Sequence, residues 1–448
     1  MADKDFRRLG LEVVAKAQKL GAEMAEAFLL NSRQLSIQVA NQKVETMKLA
    51  EDRGLGIRVF RNNRLGFAFT SDLDALAIEK AINQALANCR YTEEDEFLTI
   101  AEKYSAYPEL DLYDPQISDI SVDEKIRLAK EIELKAKNYD SRIKITERAG
   151  YDDSQYEICI VNSQGLEAYY HGAYCGGYSL VVGEQDGDSQ TGFGMQYEVK
   201  YKDLNPEKIG QEAAKRAVRL LGAKTVKSQK APIVLEPYIA TSFLSIISPT
   251  LSAEAVHKGK SFLANKINEK VASTLVTIID DGRMPGRVSS APFDGEGVPT
   301  GETVLIKDGV LQGYLHNTYT AKKDGVKSTG NGVRGSYRST PEVGSTNFYL
   351  ANGDISPEDL IKEVDRGLYV TDVMGMHTAN PISGDFSLGA SGIWIENGEF
   401  TYPVRGVAIA GNLKEFLLNI DRVANDLTFF VSKGSPTLRI NNISISGS

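Results

Sequence analysis

The sequence predicts an α+β protein: an N-terminal helix-and-sheet domain followed by a β-rich C-terminal domain with antiparallel sheets. Three observations carry this. Apolar residues recur at helical spacing over Phe6–Leu20 and then change to a period of two. Helix signals return only as separated blocks between long strand-like stretches. Beyond about residue 270, glycines punctuate short apolar runs in the manner of tight turns.

The first helix places Leu9, Val13, Val14, Ala17 and Leu20 on one face, and Gly21 stops it. Ala25–Leu30, Leu35–Ala40, Gly54–Phe60 and Leu65–Thr70 read as strands. Asp72 is placed to cap a helix with Leu76, Ile78, Ile82 and Leu86 on its apolar face. The polar stretch 91–120 reads as a long connection. Ser121-Val-Asp-Glu124 has the form of a capping box and opens a helix to about Asn138. Strand patterns fill Ile143–Val199, with turn signals at 162–165 and 186–188. Asn205-Pro206 opens another helix and Gly222 closes it.

Residues 223–232 are polar, basic and end in a proline, which marks a linker between domain 1–222 and domain 233–448. A strand at Ile233–Leu235, a helical region over 238–262 and a Gly-rich β region follow. One helix near Ser356–Arg366, with Pro357 at its first position, interrupts that region.

A net charge of −9, with Lys and Arg interleaved among acids, argues against direct nucleic-acid contact, which needs clustered cations. Cys89, Cys159 and Cys175 form no CxxC pair, so reduced thiols and a cytoplasmic location are expected. The N-terminal residues lack an apolar signal core, and 238–256 is too polar for a membrane span.

Several groups could carry chemistry. Glu254 and His257, three apart, share a helix face, but two ligands make a poor metal site. Asp280, Asp281, Asp294 and Glu296 form an acidic cluster, suited to acid/base work or to capping turns. His377, Asn380, Ser383 and Asp385 sit in a turn-rich loop and are candidates for a substrate groove. Thr329-Gly-Asn-Gly-Val-Arg-Gly335 has the glycines of a phosphate loop without its Gly-Lys-Ser/Thr ending. His171, His316 and Trp394 read as structural.

Several ordered blocks resemble the TldD/PmbA family. They include Val271–Asp281, Pro292-Phe-Asp-Gly-Glu-Gly-Val-Pro-Thr300, Ile306–His316 and Thr320–Gly330. The strongest is Gly384-Asp-Phe-Ser-Leu-Gly-Ala-Ser-Gly-Ile-Trp-Ile-Glu-Asn-Gly-Glu399, which continues through Tyr402-Pro-Val404 to Ile409-Ala-Gly-Asn-Leu413. Arg53-Gly-Leu-Gly-Ile-Arg58 and Gly66-Phe-Ala68 match more loosely. Ile393-Trp-Ile395 and Ala410-Gly-Asn412 are similar to the PmbA (TldE) branch.

The TldD branch carries His-Glu-x-x-x-His on its metal helix and a cysteine ligand near the C-terminus. This chain has only Glu254 and His257 in that window, and 430–439 contains no cysteine. The resemblance therefore implies a subunit with no metal of its own, in a two-component cytoplasmic metallopeptidase. A TldD-like partner would supply the zinc, and unfolded peptides or modified-peptide precursors would be the substrates. The isolated chain could form a homodimer. Two alternatives stand beside this: a stand-alone, non-enzymatic peptide-binding or regulatory protein, and a hydrolase in its own right.

Overall fold

The computed structural model describes residues 2–447. The helix Ala2–Lys19 is followed by three antiparallel strands, β1 (Met24–Ala40), β2 (Lys43–Arg61) and β3 (Arg64–Thr70). Three more, β4 (Ile143–Asn162), β5 (Glu167–Gln185) and β6 (Asp188–Glu198), complete a six-stranded sheet in the order β3-β2-β1-β4-β5-β6. The two runs read as separate strands in 25–40 are one strand of 17 residues. Its polar centre, Asn31–Gln34, is paired with β2 on one side and β4 on the other, and this ladder overrides local polarity.

Helices Ala75–Asn88, Val122–Lys137 and Pro206–Val218 pack on this sheet. Asp74, not Asp72, caps the first of these, accepting from the backbone N–H groups of Leu76 and Ala77 at 2.9 and 2.7 Å. Ser121 and Asn205 cap the other two, as their positions predict. Segment 91–120 is mostly irregular.

The remaining strands form two further six-stranded sheets and a two-stranded ribbon, 332–333 with 342–343. One runs, in spatial order, 310–311, 302–307, 278–281, 348–350, 433–435 and 428–430. The other runs 399–412, 385–396, 366–374, 229–235, 438–446 and 420–423. Its first strand also pairs with 438–446, so five strands close on themselves. Two pairings are parallel, 348–350 with 433–435 and 366–374 with 229–235, and the rest are antiparallel.

The helix Pro237–Thr250 lies against both sheets and anchors the largest apolar core. Phe243 stacks on Phe416 at 4.7 Å and meets Phe386 edge-on at 5.5 Å. The helical region expected over 238–262 is broken. Pro249 lies in the last turn, and Ser252 starts a separate five-residue helix, Ala253–His257. Helix Pro357–Lys362 has Ser356 as its cap and Pro357 at its start. Trp394 is fully buried in the core.

Candidate functional site

The acidic residues grouped in sequence separate in space. Glu296 turns toward the N-terminal sheet and meets Arg58 (β2), which is directly opposed to Glu26 (β1), while Asp294 stays within its own turn and the neighbouring Gly332 backbone. Arg58 reaches Glu26 Oε2 at 2.7 Å and Glu296 Oε1 at 3.3 Å. Arg334 bonds Glu26 from the other side, its guanidinium 4.8 Å from the centroid of the Phe28 ring. Glu296 also accepts from the backbone N–H and hydroxyl of Thr318 at 2.7 and 2.6 Å. Burial opposes the charge on Glu26, yet Arg334 and Arg58 hold its carboxyl below the ordinary range. Asp294 accepts from three backbone N–H groups, but burial and then Glu296 push it up to about 7. The cluster fastens the two halves of the chain together.

The loop with the appearance of a phosphate site lies against these acids. Asn331 donates to Asp280 at 2.7 Å, and Gly332 N–H donates to Asp294 at 2.7 Å. Carboxylates face its backbone donors, so a phosphate is repelled there.

The short helix that carries Glu254 and His257 has a different environment. His257 Nε2 lies 2.6 Å from Asp324 Oδ1, in the last turn of helix Thr318–Asp324. Glu254 bonds Lys258 and accepts from Val343 N–H at 3.3 Å. His316 is buried nearby, and burial lowers its basicity. The three cysteines are buried in the N-terminal half. Among the described residues, no group of three His, Cys, Asp or Glu is placed to hold a metal ion. The donor set around Glu254 and His257 does not fit a catalytic zinc, which takes three protein ligands and an open position.

The loop read as a groove is largely self-contained. Asn380 accepts from Ile382 and Ser383 N–H groups at 2.8 and 3.2 Å, and Asp385 accepts from Asn412 at 2.7 Å. His377 lies exposed in a short 3-10 turn, Met376–Thr378. The structure brings Asn380, Ser383 and Asp385 together as a turn closed by Asn412, with His377 on its rim.

A cleft of about 460 Å³ opens between the two halves, walled by Tyr197, Tyr238, Tyr369, Phe429 and Phe430. Arg287 sits over the Phe429 ring at 4.0 Å, and Arg216 over Tyr238 at 4.6 Å. Sequence reasoning missed this cleft, because its walls come from six separate segments. The adjacent aromatics Phe429-Phe430 were its one local signal.

Fold and site together define an α+β protein whose N-terminal sheet is locked to the C-terminal half by a buried ion cluster. Three consecutive family models match it: PmbA/TldA metallopeptidase domain 1 over 25–89, the central domain over 115–221 and the C-terminal domain over 228–447. The chain belongs to the PmbA/TldD metallopeptidase family. It is 33% identical to Metalloprotease PmbA of Escherichia coli O157:H7, across 94% of this chain and 92% of that protein. It is 27% identical to a Metalloprotease TldD homolog of Buchnera aphidicola, across 88% of this chain and 87% of that protein. A Thermotoga maritima crystal structure, described as a candidate modulator of a DNA gyrase, superposes with a TM-score of 0.91 at 32% identity. That match covers 98% of this chain and all of the other. TldE of Thermococcus kodakarensis superposes with a TM-score of 0.90 at 26% identity, with the same coverage.

Proposed function

We propose that this chain is the PmbA/TldE-like subunit of a two-component cytoplasmic metallopeptidase, whose zinc is held by a TldD-like partner. One observation carries the reading: a member of a metallopeptidase family has its only metal-helix histidine engaged with Asp324 and has no cysteine beside it. The chain then contributes walls to a shared chamber and holds unfolded peptides or modified-peptide precursors. The aromatic cleft and the loop carrying His377 and Asp385 are its candidate contacts. Extended peptides bind through backbone hydrogen bonds and apolar pockets, which sheet edges and aromatic walls supply.

The test is co-purification with a TldD-like chain, followed by cleavage assays of each subunit and of the mixture. The mixture should cleave, and the isolated chain should retain no stoichiometric zinc after dialysis. His257→Ala should leave cleavage by the pair nearly intact. One zinc per isolated chain, or a loss of about 10²–10⁴-fold with His257→Ala in a folded complex, would sink the reading.

A further inference from the structure

Three side chains from distant segments converge in the C-terminal half. Lys433 Nζ, on strand Lys433–Ser435, donates to Ser345 Oγ at 2.6 Å. Ser248 Oγ, on helix Pro237–Thr250, donates to the same oxygen at 3.0 Å. Ser248 is buried, while Ser345 and Lys433 are half-buried. The geometry points to Ser345 as a nucleophile for acyl transfer, with Lys433 as its general base, acting on an activated ester or amide.

The surroundings favour this chemistry. Two donors aimed at one hydroxyl oxygen stabilise its alkoxide. Burial drives the Lys433 ammonium down to about 8, with Asp280 opposing the shift. Roughly a tenth of it is then neutral at pH 7, ready to take a proton. Every element packed against Lys433 is accounted for. Helix Pro237–Thr250 carries no charge, strand 428–430 brings Thr428 and two phenylalanines, strand 348–350 brings Phe348, Leu350 and the phenol of Tyr349, which burial keeps protonated, and the Phe348 ring lies 5.0 Å from Nζ. Strand Ile278–Asp281 brings Asp280 and Asp281, the latter bonded to Arg283 N–H at 2.8 Å.

Asp280 is a positioning residue. It accepts from Thr346 N–H at 2.7 Å and Thr346 Oγ1 at 2.9 Å, and so fixes the backbone beside Ser345. Val431 leads into Lys433 at φ +57°, a conformation that β-branched residues rarely adopt and that clusters at functional sites.

The step balances within the protein. As Ser345 Oγ bonds the carbonyl carbon, its proton passes to neutral Lys433, and the C=O π pair moves onto the carbonyl oxygen. Collapse expels the alcohol or amine, which leaves with the proton from Lys433. Water then attacks the acyl-serine, its proton passing to Lys433 and on to the departing Ser345 Oγ.

The experiment uses the isolated full chain with a chelator present, so it is independent of any partner's zinc. A fluorophosphonate probe and peptide mapping should find one adduct, on Ser345, with a labelling rate that rises with pH around a midpoint near 8. Ser345→Ala should abolish the adduct, and Lys433→Met should slow labelling at least about tenfold. Thermal melts run alongside show whether each variant is folded. No adduct, an adduct elsewhere, a pH-independent rate from pH 6 to 9 in the unaltered chain, or wild-type labelling by folded Lys433→Met would overturn the proposal.

Discussion

Lys433 is charged in water and costly to keep charged where it lies. Its ammonium faces Phe348 and Ser345, and Asp280 compensates the loss of solvent only in part. The sign of the resulting pH dependence follows. The folded value is near 8 and the ordinary one 10.5, so between these the unfolded chain binds more protons than the folded one. Stability conferred by this position therefore rises with pH across that window. The melting temperature of the unaltered protein, minus that of Lys433→Met, should grow between pH 8 and pH 10.5. A difference that stays flat or shrinks would contradict the burial-driven shift. The sequence flagged Asp280 but not its neighbours. Ser345 and Lys433 lie 65 and 153 residues away, and nothing in local pattern links them.

Strand β2 shows why some glycines in the family-like block Arg53–Arg58 tolerate no side chain. A Cβ on Gly56 would sit 2.4 Å from the backbone oxygen of Tyr337, and one on Gly54 would enter the Tyr337 ring at 2.3 Å. Tyr337 is fully buried against this strand and donates its hydroxyl to Asp52 at 2.9 Å. Gly56→Ala should therefore cost about 1–3 kcal/mol, since backbone cannot yield as a flexible side chain can. Urea unfolding would show it as a lower midpoint. Gly301→Ala, with nothing within 4 Å of the added methyl, is the control and should leave the midpoint unchanged or slightly higher. A midpoint for Gly56→Ala equal to the control's would remove the close-packing argument. The glycines were readable as a motif, but the contact that requires them belongs to another part of the chain.

Across the whole molecule, the N-terminal sheet is tied to the C-terminal half by Glu26, Arg58, Glu296 and Arg334. Glu26 and Glu296 are at most 1% exposed, which leaves their oxygens no water to fall back on. Removing one member leaves a buried charge short of a partner, which costs more than the intact cluster stabilises. Glu296→Ala also strips the acceptor from Thr318 N–H and hydroxyl. A loss of about 3–5 kcal/mol is expected, read by denaturant unfolding. A loss below about 1 kcal/mol would show that the lock contributes little to stability.

The sequence by itself determined the α+β class, most helix starts and the family. Capping side chains, proline positions and apolar periodicity act within a few residues of themselves, so they are legible locally. It also determined that the metal-helix window holds one histidine and that residues 430–439 lack a cysteine. Tertiary structure decided what those residues do instead. It joined two short runs into one strand through ladders on both sides, and it sent Glu296 to the N-terminal sheet while Asp280 went to Thr346, beside Ser345, and close enough to Lys433 to act on its charge. It also gave His257 to Asp324, 67 residues on. Each outcome depends on which distant segments meet and on how much water is excluded there, quantities that no local window of sequence contains.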